Sequence, residues 1–257
     1  MIETRIPVPA RDTHARASLW LAALLLLPAG ARAQEPLGEG FTTSFRLQDC
    51  RFETTGRNPY FLLEPGRQLV LEAERDGGTA TLFVTVLRET RAIRLEIDGR
   101  PRTVRTRVVE EREFEDGELT EVSRNFFSIC ARTNDVFYFG EDVDIYEGGE
   151  IVSHDGAWLA GRDGALPGII MPGTFLLGSR YFQEIAPDVA LDRAEHTDMD
   201  FEVETPAGSS SGCTEVVETT PLDPGAESTK VYCAGTGLVM DNELALIDVV
   251  EDVEDDD

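Results

Sequence analysis

The sequence predicts an all-β protein with minor α-helical content, built from hairpins into a strongly curved antiparallel sheet or an open β-barrel. Two observations carry this prediction. From residue 67 onward, aliphatic, β-branched and aromatic residues alternate with charged ones, which is typical of strands that keep one face in water. Asp-Gly and Gly-Gly pairs cut these runs into short segments, and such pairs favour the tight turns of antiparallel hairpins.

The first group of strands is predicted between residues 67 and 154, each strand ending at a turn signal. These strands cover residues 67–75, 79–88, 91–97, 103–114, 119–132, 136–146 and 151–154. Pairs such as Asp98-Gly99, Asp116-Gly117 and Gly148-Gly149 separate them. Because glycine and aspartate accept the backbone angles of tight turns, each pair predicts a reversal of the chain.

The stretch 161–178 breaks this pattern, since it is rich in glycine and proline and shows no clean period. We predict a structured loop with an apolar centre that includes Ile170 and Met171; such a loop either closes one end of the sheet or takes part in function. Residues 188–195 predict two helical turns, which is the minor α content. Further strands are predicted at 180–185, 201–205, 214–219, 229–233 and 243–250.

Residues 1–33 have the three-part pattern of a secretory signal peptide. Arg5, Arg11 and Arg16 form a positive start, residues 19–27 form an apolar run, and residues 31–33 (Ala-Arg-Ala) form a cleavage signal. This run is shorter than the roughly 20 residues that a membrane-spanning helix needs, so we expect no transmembrane segment in the mature chain. We therefore expect a secreted or periplasmic protein, with one β-rich domain at residues 34–250 and a disordered acidic tail at 251–257.

The charge of the chain restricts its partners. The 257 residues include 49 acidic and 23 basic side chains, which gives a formal net charge of −26. Nucleic acids and anionic lipids repel such a surface, so we expect no nucleic-acid partner. Lys230 is the only lysine. A low lysine content with many acidic residues suits a high-salt habitat or a protein kept soluble by self-repulsion.

The cysteines predict disulfide bonds. Four cysteines in an exported chain can form two disulfides in three connectivities. A turn sequence at 221–225 lies between Cys213 and Cys233, with a predicted strand on each side. A hairpin there brings its two ends together, which favours the pair Cys213–Cys233 and leaves Cys50–Cys130 as the second pair.

A dense group of polar side chains follows the 161–178 stretch. Its members are Tyr181, Gln183, Glu184, Asp188 and His196. They offer the acid, base and hydrogen-bonding groups that a polar pocket needs, although an amphipathic strand with surface ion pairs has the same composition. Together with Ile170 and Met171, they form the candidate ligand-binding set.

Four acidic residues alternate with apolar ones just after this group. They are Asp198, Asp200, Glu202 and Glu204. On a strand, all four carboxylates share one face, which forms either a solvated outer surface or, with help from a neighbouring strand, a calcium site. Calcium is therefore the alternative cofactor, and otherwise we expect none.

The sequence contains none of the common catalytic signatures. Gly-x-Ser-x-Gly, His-Glu-x-x-His and the glycine-rich loops that bind phosphate are absent. Residues 153–155 (Ser-His-Asp) have the residue types of a hydrolase, but consecutive side chains point in different directions and cannot form a relay. The enzyme hypothesis therefore depends on the region 181–196.

Several segments together resemble a widespread group of exported bacterial β-rich proteins of unknown function. The segments are 58–66 (NPYFLLEPG), 136–143 (VFYFGEDV), 170–173 (IMPG), 178–184 (GSRYFQE) and 231–239 (VYCAGTGLV). In that group a proline follows the alanine of the closing hairpin, whereas here Gly235 follows Ala234. The resemblance implies export and one β-rich domain over nearly all of the mature chain, and it transfers no catalytic residues. Similar closing hairpins occur in curved, open sheets of envelope proteins that shelter apolar ligands.

These observations lead to three functional hypotheses. The first is an exported, non-catalytic binding or structural protein of the cell envelope or exterior, which shelters a small apolar ligand or lipid in its curved sheet. The second is a hydrolase-like enzyme that uses the region 181–196, with His196 within hydrogen-bond reach of a carboxylate. The third is an extracellular protein that binds calcium through the acidic row on 198–204.

Overall fold

The regular structure is almost wholly β-strand, as the sequence predicts. A computed structural model describes residues 40–75 and 77–254; the predicted signal peptide lies outside them. Helical structure among the described residues is limited to one 3-10 turn at Leu47–Asp49. The strands are β1 Phe52–Glu53, β2 Gly56–Arg57, β3 Leu62–Leu63, β4 Gln68–Arg75, β5 Gly78–Ile97, β6 Arg100–Glu115, β7 Glu118–Cys130, β8 Val136–Glu147, β9 Glu150–Ser153, β10 Trp158–Leu159, β11 Leu166–Met171, β12 Arg180–Phe182, β13 Glu184–Ile185, β14 Arg193–Thr205, β15 Gly208–Thr220, β16 Asp223–Cys233, β17 Gly237–Asp241 and β18 Leu244–Val250.

Sixteen strands form one large antiparallel sheet, and β2 and β3 pair separately. Strands β4 to β8 are neighbours in chain order, and so are β14 to β18. Strand β18 pairs with β4 and thereby joins the two halves. Strands β1, β9 and β10 add to β7 or β8 beside the main path. Hairpin connections explain this order, because a tight turn places consecutive strands side by side.

The two ends of the sheet meet at one short segment, residues 180–185. Strand β12 pairs with β14 at one end, and β13 pairs with β11 at the other. Only Gln183 separates β12 from β13 along the chain, so the sheet must curve back on itself. The sheet is not closed into a barrel, because β12 and β13 contribute different residues to the two ladders.

Gly168 on β11 lets the backbone approach this meeting point. A Cβ atom at position 168 would lie 2.3 Å from the carbonyl oxygen of Phe182 and 2.5 Å from that of Gln183. Real Cβ atoms do not come that close to backbone oxygens, so any other residue would push β11 away from the segment. Glycine at 168 therefore brings one edge of the sheet against the chain that forms the other edge.

Two local predictions are wrong. Residues 188–195 form no helix: Asp188 has a φ of 62°, Ala186 and Ala190 form an antiparallel bridge, and the chain joins β14 at Arg193. A window of eight residues is too short for helical periodicity to outweigh strand pairing. Likewise, the stretch 161–178 is not one loop, because its apolar centre forms β11, which pairs with β8 and β13.

The cysteines form the two predicted pairs. Cys213 and Cys233 lie directly opposite each other on β15 and β16 and are disulfide-bonded. Cys50, just before β1, is bonded to Cys130 at the end of β7. The first bond therefore fastens one hairpin, whereas the second fastens the N-terminal segment to the sheet.

The first residues of the acidic tail contact the sheet. Glu251 pairs with Arg67, and Val253 N–H donates to Gly66 O at 2.8 Å. Residues 255–257 lie outside the described residues, so disorder of the tail stays a prediction. Over 40–75 and 77–254, the structure contains no apolar helix long enough to cross a membrane.

Candidate functional site

A cavity of about 220 Å³ lies inside the curve of the sheet. Its wall is drawn from both halves of the sheet, including β4 to β8 and β16 to β17, and from the segment where the two edges meet. The volume exceeds the about 150 Å³ cavity that holds benzene but is below the roughly 300 Å³ of drug-sized pockets. A small molecule of about benzene size or somewhat larger would fit it.

One side of the cavity is aromatic and aliphatic. Phe61 packs edge-on against Phe127 with ring centroids 5.0 Å apart, Phe127 lies 4.8 Å from Tyr138, and Tyr138 lies 5.1 Å from Trp158. Together with Leu238, these residues belong to the largest hydrophobic cluster or pack against it. The apolar wall is therefore continuous with the core, which holds the rings in place.

The other side of the cavity carries the only lysine of the chain. Lys230 Nζ on β16 lies 3.0 Å from Glu218 on β15 and 3.8 Å from Asp241 on β17. Gln183 Nε2 donates to the same Glu218 carboxylate at 2.7 Å. Desolvation alone would lower the pKa of Lys230, but Glu218 and Asp241 hold that pKa well above its usual value. The ammonium group is therefore charged and already neutralised by its neighbours.

Arg67 is the second cation of the wall, and it is also neutralised. The side chain is buried, pairs with Glu251 and donates from Nη2 to Thr236 O at 2.9 Å. Neither cation is thus left to attract an anionic ligand.

Three carboxyl groups on the wall have no such partner. Within the described chain, Glu111 on β6, Glu141 on β8 and Glu184 on β13 form no ion pair with arginine, lysine or histidine. Desolvation raises the pKa of Glu111 to about 7. Desolvation and the nearby charge of Glu111 raise the pKa of Glu141 to about 8. Burial raises the pKa of Glu184 well above its usual value, although its carboxylate accepts a 2.6 Å hydrogen bond from Asp192 N–H.

Glu141 and Trp158 separate the cavity from an outer groove, since both residues line both spaces. Strand β10, which carries Trp158, pairs with β8 through Trp158 and Glu141. The neighbouring Gly140 permits this approach, because a Cβ there would lie 2.8 Å from Trp158 O. Trp158 is 7% exposed, and its indole Nε1 has no hydrogen-bond partner among the described residues.

No family model, curated protein or solved structure matches this chain.

The structure divides the candidate ligand-binding set among four places, of which the fourth is the Tyr181–His196 pair described below. Gln183, Glu184 and Ile170 line the cavity. Met171 is buried in the hydrophobic core and does not line the cavity. Asp188 is exposed in the turn before β14. Only part of the set therefore lies in one place, where residues 180–185 bring the two edges of the sheet together.

Tyr181 and His196 form a separate buried pair. Tyr181 Oη and His196 Nε2 lie 2.8 Å apart, and the imidazole stacks on Phe175 with ring centroids 3.7 Å apart. Burial lowers the pKa of His196 to about 4, so the ring is neutral near pH 7. No carboxylate of the described chain is hydrogen-bonded or ion-paired to it. The base and acid that the enzyme hypothesis requires are therefore not in contact here.

The acidic row lies on the exposed side of β14. Asp198, Asp200, Glu202 and Glu204 are all exposed. Three irregularities in the pairing of β14 with β15 interrupt the row, and Asp200 has a φ of 63°. Among residues 40–75 and 77–254, no three side chains of His, Cys, Asp or Glu converge as a metal site would require.

The sequence did not predict which charged residues line the cavity. Glu111, Glu141, Glu218 and Asp241 lie within predicted strands or beside them, where charged positions indicate a wet outer face. The one available signal was Lys230, since a single lysine in an arginine-containing chain is unusual. Composition alone, however, does not say which side of a strand a residue occupies.

Proposed function

We propose that the protein is an exported, non-catalytic binding protein that shelters a small molecule with an apolar body in the cavity of its curved sheet. The observation that carries this proposal is the cavity of about 220 Å³ with an aromatic wall, enclosed by both halves of the sheet. Ligand sites are typically concave and mostly apolar, with a few polar groups that fix orientation.

Export is supported by two independent features. The signal-peptide pattern at 1–33 predicts passage out of the cytoplasm. The two disulfides suit an oxidising compartment, because cytosolic thiols are kept reduced. Detection of a mature chain beginning near Gln34 in the periplasm or medium tests this part of the proposal.

Binding can be measured with the neutral probe 3-phenylpropan-1-ol, which has one aromatic ring and one hydroxyl. Trp158 in the cavity wall provides the signal, since the only other tryptophan is Trp20 in the predicted signal peptide. We expect a saturable change in tryptophan emission with a dissociation constant below about 1 mM, equivalent to about 4 kcal/mol of binding free energy. Calorimetric titration should give the same constant.

Filling the cavity should abolish this binding. Val109 lines the cavity from β6, so Val109→Phe places a ring in the space that the probe would occupy. The matched control is Val152→Phe on β9, where the side chain is 53% exposed, and it should bind like the parent protein. Equal binding by both variants, with unchanged melting temperatures, would show that the probe does not use this cavity.

A further inference from the structure

The charges of the cavity specify the kind of ligand, an inference that rests on the proposed binding function. Six acidic residues line the space: Glu111, Glu141, Glu184, Asp192, Glu218 and Asp241. The lining contains only two cations, Lys230 and Arg67, and both are paired with carboxylates. Acidic groups therefore remain in excess.

We propose that the cavity binds an organic ammonium cation with an apolar body, which lies against the aromatic wall and places its charge beside Glu111 and Glu141. A carboxylate-bearing ligand such as a fatty acid is disfavoured, because its charge would face unpaired carboxyl groups instead of a free cation. A neutral apolar ligand would fill the space but would leave those carboxyl groups without a counter-ion.

Two observations support a cation. Glu111 and Glu141 lie on the two strands that flank β7, opposite Ser123 and Asn125, and both line the cavity, so a single positive group there can interact with both. Phe127, Tyr138 and Trp158 line the same cavity, and the faces of aromatic rings attract ammonium groups. The indole N–H of Trp158, which has no hydrogen-bond partner among the described residues, leaves room for an occupant of either kind and does not itself favour a cation, because an ammonium group cannot accept its hydrogen bond.

Cation binding should be coupled to release of protons. The raised pKa values of Glu111 and Glu141 mean that both are largely protonated at mildly acidic pH in the empty cavity. A bound ammonium group favours their ionised forms, so its affinity should rise with pH. The charges of Glu111 on β6 and Glu121 on β7 raise the pKa of Glu141, whereas hydrogen bonds with the side chains of Tyr138 on β8 and Ser123 on β7 lower it. Glu141 in turn raises the pKa of Glu184 on β13.

The test compares three probes with the same phenylpropyl skeleton: 3-phenylpropylamine, 3-phenylpropan-1-ol and 3-phenylpropanoate. At pH 8 the amine should bind at least tenfold more tightly than the alcohol, and the carboxylate should bind at least tenfold more weakly. The hydroxyl of the alcohol can accept a hydrogen bond from the Trp158 indole N–H, whereas the ammonium group cannot. This difference works against the expected preference for the amine. At pH 5 the preference for the amine should shrink severalfold.

Substitutions test whether Glu111 and Glu141 cause the preference for the amine. Glu111→Gln and Glu141→Gln should each reduce amine affinity severalfold more than they reduce alcohol affinity, and the double variant should abolish the preference. Glu118→Gln, at an exposed position on β7, is the control and should change neither affinity. The three probes on the parent protein test the preference for the amine even if a variant fails to fold.

Different outcomes separate this inference from the proposed function. Equal affinity for amine and alcohol, or tighter binding of the carboxylate, would overturn the cation preference while leaving the binding function in place. Binding of none of the three probes would overturn both. A preference for the amine that survives the double substitution would place the cation elsewhere and overturn the assignment to Glu111 and Glu141.

Discussion

Lys230→Met is expected to lower the free energy of unfolding at pH 7 by about 1–3 kcal/mol, between the values typical of exposed and of buried ion pairs, because the Lys230 side chain is 25% exposed. The substitution leaves Glu218 and Asp241 in the cavity wall without their cation, and these side chains are only 14% and 17% exposed. Glu111 lies near enough for the Lys230 charge to affect its pKa, so it too would lose a favourable interaction. Urea unfolding followed by circular dichroism measures the change.

Two further variants show whether the loss comes from unpaired charge. Arg180→Met removes a cation from an exposed pair in which Nη2 lies 2.7 Å from Glu195, and it should change stability much less than Lys230→Met does, because solvent screens an exposed pair. Lys230→Met combined with Glu218→Gln should recover part of the lost stability, because one unpaired charge is then removed. A loss below about 1 kcal/mol for Lys230→Met would contradict burial of the cluster.

The sequence predicts the local architecture well because strand and turn signals act over a few residues. Asp98 and Asp116 both have positive φ, at 52° and 54°, in the turns joining β5 to β6 and β6 to β7. The predicted strands 79–88 and 91–97 are, however, one strand, β5, with an irregularity in its pairing between Val86 and Thr90. Two polar residues, Glu89 and Thr90, separate the two predicted runs, whereas in the structure an irregularity in the pairing carries the strand through them.

The candidate site was harder to predict because it is assembled by long-range pairing. Glu111 and Lys230 are 119 residues apart in the chain, and they share a cavity only because β18 pairs with β4 and the sheet curves back on itself. Alternation says that Lys230 and Tyr232 share a face, but it cannot say that this face is the interior. Gln183 and Glu184 were found because their segment is locally rich in polar groups.

The cavity carboxyl groups should also make stability depend on pH, with the protein losing stability as the pH rises. For Glu141, the pKa is raised from 4.5 to about 8, so its contribution is fully present below about pH 4.5 and is lost as the pH rises through 8. Glu111, with a pKa of about 7, acts in the same direction. At about 1.4 kcal/mol per pH unit, the Glu141 contribution falls by about 4 kcal/mol between pH 5 and 9.

Glu141→Gln isolates this effect, since glutamine has nearly the same shape and cannot ionise. The variant should match the parent protein near pH 4.5 and exceed its free energy of unfolding by about 4 kcal/mol at pH 9. His196 has the opposite sign: its pKa of about 4 means that its contribution, present above pH 6.5, is lost as the pH falls. That contribution cancels in the difference between variant and parent.

Exposed Glu118→Gln is the control, and a difference for Glu141→Gln that does not grow with pH would show that Glu141 is not desolvated. Because the parent protein should bind the amine more tightly than the Glu141→Gln variant, 3-phenylpropylamine should stabilise the parent protein more and reduce the difference at pH 9.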